Sequence, residues 1–199
     1  IACRRDLVAR VAGGRVRTKG LLATMKELRA TLEQEFATDV HVRLDEHGEL
    51  LSAERMHDAG ADPAAVRARV KQLFLPRLDF VEALYTSDEL AATLSADDGK
   101  DALRTAMARS YFPGRTPDVV MVKKPFWISM GMGTTHGSPW PYDREVPLVF
   151  LGRGARPGST FQPCSTVDVL PTLLARAGIA VPSGLDGQVL VSAQPASSR

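Results

Sequence analysis

The sequence predicts an α/β protein on three observations: amphipathic stretches at helical spacing, short apolar runs of strand length between them, and Gly, Pro, Asp and Ser residues where one period gives way to the other. The first helix is read over Leu21–Phe36. Leu21, Met25, Leu28, Leu32 and Phe36 recur at intervals of three and four, which puts them on one face. Residues 40–44 then alternate apolar and polar, as a half-buried strand does. Glu46-His47-Gly48 supplies a turn, and Leu50-Leu51 begins a return strand. Asp62 is placed to cap a helix whose first position is Pro63. Val66, Val70, Leu73 and Phe74 form its apolar stripe, and Pro76 ends it.

A second strand is expected over Leu78–Tyr85. Thr86 and Glu89, three residues apart, have the form of a capping box opening a short helix. The order strand–helix–strand–helix across residues 39–95 predicts a small α/β subdomain. A further helix is expected over 101–111, followed by a turn at Pro113-Gly114-Arg115. Two continuous apolar runs, Asp118–Val122 and Val146–Leu151, read as buried strands. Between them lies a segment rich in Gly, Thr, Ser, Pro and aromatics, over 125–145, and a loop of that length is usually functional. Ser165 or Thr166 caps a last helix that runs to Ala177 and stops at Gly178. Residues 192–199 read as a disordered tail.

The composition bounds the function. With 199 residues and 44% hydrophobic content the chain can bury a real core. Charge is balanced at +2, so there is no strong field to draw a polyanion. The basic-leaning stretch from Arg4 to Lys19 has no interleaved aromatics to stack bases. It reads as a solvated face, and no nucleic-acid polymer is expected as a partner. No apolar run approaches the ~20 residues that span a bilayer. Cys3 and Cys164 match no metal or redox spacing and can pair only if the fold brings them together. The first residue is Ile and no signal peptide is visible, so the chain is expected to be processed or part of something longer.

Four histidines are present. His41 lies on the polar face of a strand, His47 in a turn and His57 in a polar stretch beside Asp58, and all three read as solvated surface. His136 stands apart. It lies in Gly131-Met132-Gly133-Thr134-Thr135-His136-Gly137-Ser138-Pro139, between two strand-type runs, with glycines that let the backbone bend sharply or approach a ligand. Imidazole is a common zinc ligand, and this is the candidate metal-binding residue of the chain. Asp143, Asp168 and Asp186 read as loop and cap anchors. Trp127 and Trp140 are expected to pack the loop, with lining of a cleft as the alternative for Trp140. Ser138 has no evident base partner, and neither a Gly-x-Ser-x-Gly motif nor a P-loop is present, so no catalytic residue is assigned.

The stretch from Gly133 to Asp143, followed by Val146-Pro147-Leu148-Val149-Phe150, resembles a signature of bacterial alkaline phosphatases of the type I phosphodiesterase/nucleotide pyrophosphatase group. Phe112-Pro113-Gly114-Arg115, Lys124-Pro125-Phe126-Trp127, Ser165–Leu173 and Gly184-Leu185-Asp186-Gly187 agree with it in order. The likeness covers about residues 110–190, and upstream it rests on element order alone. It implies part of an alkaline-phosphatase-like α/β/α sandwich. Residues 1–38 would be a helical segment of the core domain, 39–100 a cap-like α/β insertion and 101–191 the C-terminal part of the metal-dependent core.

The resemblance further implies a two-zinc site in which His136 ligates one ion, a phosphate ester as substrate, and a covalent phospho-enzyme. It implies residence in the periplasm or at the cell surface. The family's nucleophile-bearing Thr or Ser segment and its Asp-His-Gly ligand segment are not found in these 199 residues, and Arg144-Glu145 stands where relatives often have Thr-His. The expectation is therefore a C-terminal fragment, inactive alone. The competing reading is a non-catalytic remnant that serves as a binding or interaction module.

Overall fold

The heptad-like spacing of Met25, Leu28 and Leu32 builds α1 (Thr18–Phe36), and these three residues are its fully buried stripe, while Leu22, one position off it, is exposed. The computed structural model describes residues 13–16, 18–36, 43–44, 48–50, 60–96, 99–128, 133–152 and 157–190. The expected strand residues 40–42 and Leu51, the N-terminal stretch before residue 13, Cys3, His41, His47, His57 and the tail 192–199 lie outside them. The chain divides into two compact units at Glu145/Val146.

In the first unit, α2 (Pro63–Phe74) begins as expected: Asp62 Oδ1 accepts the backbone N–H of Ala64 at 3.1 Å, with Pro63 at the first helical position. Val66, Val70 and Phe74 are wholly buried, each worth about 1.5–3 kcal/mol against exposure. The helix gives way to a 3-10 turn, Leu75–Arg77, because Pro76 has no N–H to continue the ladder. Strand β4 (Val81–Thr86) then runs without a loop into α3 (Ser87–Ser95). Thr86 is both the last strand residue and the helix cap. Its Oγ1 accepts from Glu89 N at 3.2 Å, and Glu89 Oε2 accepts from Thr86 N at 2.9 Å. Asp101 caps α4 (Ala102–Ala108) by accepting Arg104 N, and the helix ends at Ala108, short of the expected 101–111.

Strand β5 (Val119–Lys123) is central in a four-stranded sheet of order β2 (Arg43–Leu44), β3 (Gly48–Leu50), β5, β4. Every pairing is antiparallel, with Thr86 opposite Val119 and Tyr85 opposite Val120. The alternation of β5 divides the core. Val119 and Met121 face a cluster with Met25, Leu28 and Leu32 of α1 and Val66, Val70 and Phe74 of α2. Val120 and Val122 face a second cluster with Leu90 of α3 and Ala108 of α4. The layering is thus helix–sheet–helix, as the α/β reading expected. The continuous apolar run of β5 reports burial on both faces, and it does so with antiparallel neighbours. Strands on both sides of residue 100 share this sheet.

Arg67 ties three elements together. Its guanidinium bonds both carboxylate oxygens of Asp88 in the first turn of α3, at 2.7 and 2.9 Å, and reaches Asp118 before β5 at 3.4 Å. A short parallel pair joins β1 (Gly14–Arg15) to β6 (Trp127–Ile128).

In the second unit the sequence reading needs one correction. Val146–Leu151 was expected to be a buried strand, but it has no strand pairing, and Val149 is 77% and Leu151 98% exposed. An apolar run becomes a strand only where another strand accepts from its N–H groups and donates to its C=O groups, and none of the described residues does so. The terminal helix is as expected. A 3-10 turn (Thr166–Asp168), capped at Ser165, leads into α6 (Val169–Arg176), and the helix stops before Gly178. Asp168 Oδ2 accepts Ser165 N at 2.7 Å and Oδ1 accepts Gln188 N at 2.8 Å, tying the cap to the chain twenty residues on. Gly187 sits so close that a Cβ there would lie 2.1 Å from the Val167 carbonyl oxygen. Thr172, fully buried, accepts Leu190 N at 3.0 Å.

Candidate functional site

The segment 133–145 follows β6 and carries His136 on an exposed stretch that includes Thr134, Thr135 and Gly137. The segment expected to be a long loop contains two short elements of its own, β6 and α5 (Pro141–Arg144). Its ends are fixed from several directions. Before His136, Arg15 Nη2 donates to the Gly133 carbonyl at 2.8 Å. After it, Asp143 Oδ2 accepts the Ser138 backbone N–H at 2.6 Å. Gly137 between them has φ +90°, a conformation that a side chain would strain.

Aromatic residues anchor the rest. Trp140 packs against the second core cluster, and its Nε1–H donates to the Lys123 carbonyl at the end of β5, at 2.9 Å. Tyr142 stacks on Phe126 with ring centroids 4.5 Å apart, and its hydroxyl accepts the Phe126 N–H at 2.9 Å. Phe126 has φ +64°, uncommon for a bulky residue, and the Tyr142 contacts help to hold it there. Trp127 packs against the first cluster, 6.3 Å from Phe80 between centroids. Both tryptophans therefore pack the loop, as the sequence suggested.

Asp143 is an anchor, as expected. The Ser138 backbone N–H chiefly holds its carboxyl below the usual carboxylate range, and the charge of nearby His136 adds to this. Asp168 is likewise an anchor, held low by the Gln188 and Ser165 backbone N–H groups. Asp186 is exposed. What the sequence did not reveal is Arg15. It was read as part of a solvated basic face, yet it holds the His136 loop from 118 residues away. No local pattern signals a contact of that range.

His136 presents an exposed imidazole with no hydrogen bond to it among the described residues, a side chain open to a ligand. Among the described residues, however, no group of three or more His, Cys, Asp or Glu side chains could hold a metal ion. Since a catalytic zinc takes about three protein ligands, the donors present do not by themselves fit the metal that the resemblance implies. Cys164 is exposed and unpaired.

No protein-family model matches the chain. It is 36% identical over 140 residues to alkaline phosphatase PhoK of a Sphingomonas species, a match covering 64% of this chain and 25% of that protein. It is 24% identical over 182 residues to alkaline phosphatase PhoV of Synechococcus elongatus, covering 91% of this chain and 32% of that one. Among solved structures, wild-type alkaline phosphatase PafA superposes with a TM-score of 0.75 at 23% identity, over 92% of this chain and 34% of its own, and shows the same fold. The chain therefore spans 25%, 32% and 34% of the lengths of these three relatives. Over that span it is alkaline-phosphatase-like.

Proposed function

We propose that this alkaline-phosphatase-like chain is the C-terminal part of a zinc-dependent phosphohydrolase that cleaves phosphate esters through a covalent phospho-enzyme, with His136 as one metal ligand. The observation that carries the reading is the setting of His136. Its imidazole is exposed, while the backbone on either side is fixed by Arg15 to Gly133 and by Asp143 to Ser138. A histidine that merely fills a loop needs no such anchoring, whereas a metal ligand gains from it because orientation is set before binding. The likeness to two alkaline phosphatases, PhoK and PhoV, supports the hydrolysis of phosphate esters.

The chain's own residues supply positioning. Gly137 lets the chain turn beside the imidazole, and Asp143 holds that turn with a negative charge close to the ring. Trp140 fixes the far end of the segment to the sheet. Zinc, when bound in such an enzyme, would supply Lewis-acid stabilisation of phosphoryl oxygens. Among the described residues the donors fall short of a complete site for it. By itself the chain is expected not to turn over substrate. The reading also places the protein in the periplasm or at the cell surface, and no helix among the described residues is long and apolar enough to cross a membrane.

The test is a chimera. The segment of the Sphingomonas phosphatase that aligns with this chain is replaced by the residues of this chain, and hydrolysis of 4-nitrophenyl phosphate is measured. The expected result is zinc-dependent hydrolysis that His136→Ala reduces by more than about 100-fold, beyond the ~10–100-fold typical of residues that only orient a ligand. A folded chimera whose activity is indifferent to His136→Ala would overturn the assignment.

A further inference from the structure

Phe126 holds a backbone conformation that suits glycine, and core packing does not account for its side chain. At φ +64° it has the one positive φ outside glycine among the described residues, a strained state for a bulky side chain. Its backbone is bound on both sides. The N–H donates to Tyr142 Oη at 2.9 Å, and the carbonyl accepts the Gly14 N–H at 3.2 Å. Gly13 closes in as well, where a Cβ would lie 2.6 Å from Phe126 Cβ. A glycine at position 126 would keep both hydrogen bonds without strain. The phenyl ring belongs to neither core cluster. It is 43% exposed and stacks on the Tyr142 ring, itself 50% exposed, with the two planes 18° apart. Strain retained for an exposed aromatic ring marks a functional position.

The aromatic pair belongs to the segment that carries His136. Tyr142 lies in α5, whose cap residue Trp140 is bonded to the end of β5, so the ring sits on a fixed element. The next residue, Asp143, bonds the Ser138 N–H and feels the charge of His136. Lys124 and Arg144 are exposed, each two positions from one of the rings, and Arg15 reaches the same segment at Gly133. Against these cations stand Asp143, already bonded to Ser138, and the exposed Glu145. Such surroundings suit a ligand that is anionic at one end and a flat ring at the other. We propose that Phe126 and Tyr142 form a stacking subsite for a planar aromatic alcohol group, and so set a preference for aryl over alkyl phosphate esters. The inference rests on the proposed function, which brings the phosphoryl group to His136. An aryl ester offers the pair a π-face, and an alkyl ester offers none.

Nuclear magnetic resonance titration of the full 199-residue chain with phenyl phosphate and, separately, with glycerol 2-phosphate tests the subsite without any turnover. The expected result is binding of phenyl phosphate at least about fivefold tighter than glycerol 2-phosphate, with the largest shifts at Phe126 and Tyr142. Phe126→Gly should erase that preference while the midpoint of chemical denaturation stays unchanged or rises, because glycine takes φ +64° freely. Phe126→Asn, whose short side chain also tolerates this conformation, should behave alike. Equal affinities for the two esters, or a preference that survives both variants, would overturn the inference. So would a clear fall of the midpoint in both, since the ring would then serve folding. In a chimera that carries Phe126 and Tyr142, Phe126→Gly should lower the ratio of kcat/KM for phenyl phosphate to that for glycerol 2-phosphate by about fivefold. An inactive chimera beside an intact aryl preference in the chain leaves the subsite standing and counts against the proposed function. An active chimera whose ratio ignores Phe126→Gly does the reverse.

Discussion

Asp143 accepts the backbone N–H of Ser138 through Oδ2 at 2.6 Å, and so closes the turn that follows His136. Asp143→Ala removes the acceptor, at an expected cost of about 1 kcal/mol, and should speed amide exchange at Gly137 and Ser138. The carboxyl is held below its ordinary value, so the bond is at full strength above about pH 4 and fades as pH falls through the lowered folded value. Exchange rates at Ser138 that do not respond to the substitution would mean that the loop is held without this carboxylate.

His136 alone is expected to be a poor zinc site. Isothermal titration of the 199-residue chain should show weak binding that changes little with His136→Ala, because the described residues offer no group of three ligands. Tight binding abolished by the substitution would contradict this and reveal further donors.

The Asp168 carboxylate gives the second unit an acid-sensitive joint. Backbone N–H groups of Gln188 and Ser165 depress its folded pKa below the unfolded value. Its contribution is therefore complete above about pH 3.9 and is lost as pH falls through the lowered folded pKa. Asp168→Asn should lower the melting temperature at neutral pH and flatten the decline of stability on acidification. A parallel decline in wild type and variant would exclude this carboxylate as the source.

Phe74 is wholly buried where α2 meets α1 and the sheet, so Phe74→Ala should cost about 3–5 kcal/mol in chemical denaturation. Leu22→Ala, on the open side of α1, should stay within about 0.5 kcal/mol. Equal effects would mean that the stripe assignment of α1 is wrong.

Arg67 has 14% side-chain exposure and meets carboxylates of 53% and 22% exposure. This is intermediate between a surface pair and a buried one, and Arg67→Ala should cost about 1–2 kcal/mol. A double-mutant cycle with Asp88→Asn should show coupling that survives moderate salt. Strict additivity would reduce the bidentate contact to a surface pair.

The parts of the fold legible in the sequence are those specified locally. The Asp62–Pro63 start, the Thr86–Glu89 capping box and the Met25–Leu28–Leu32 stripe are each set by residues within a few positions of one another. Strand sense was not legible, because the apolar run of β5 records that helices cover both faces and not which way its neighbours run. Val146–Leu151 failed for a related reason: a run encodes the wish to be buried, while a strand needs a second strand. At the candidate site, the loop setting of His136 and the anchoring role of Asp143 were readable from glycine spacing and from the habits of Asp in turns. Arg15 was not, since its bond to Gly133 depends on how β1 meets β6.

The junction at Thr86 constrains how this chain can change over time. One residue holds a place in the ladder opposite Val119, caps α3, and is followed by Ser87, whose N–H donates to the Asp118 carbonyl at 2.8 Å. Inserting or deleting a single residue there would have to shift the sheet by one position, turning Tyr85 and Leu84 to opposite faces, or else strip the helix of its cap. The spacing from Val81 to Glu89 should thus be of fixed length across descendants of this sequence, while the turn at Gly99, before α4, tolerates added residues.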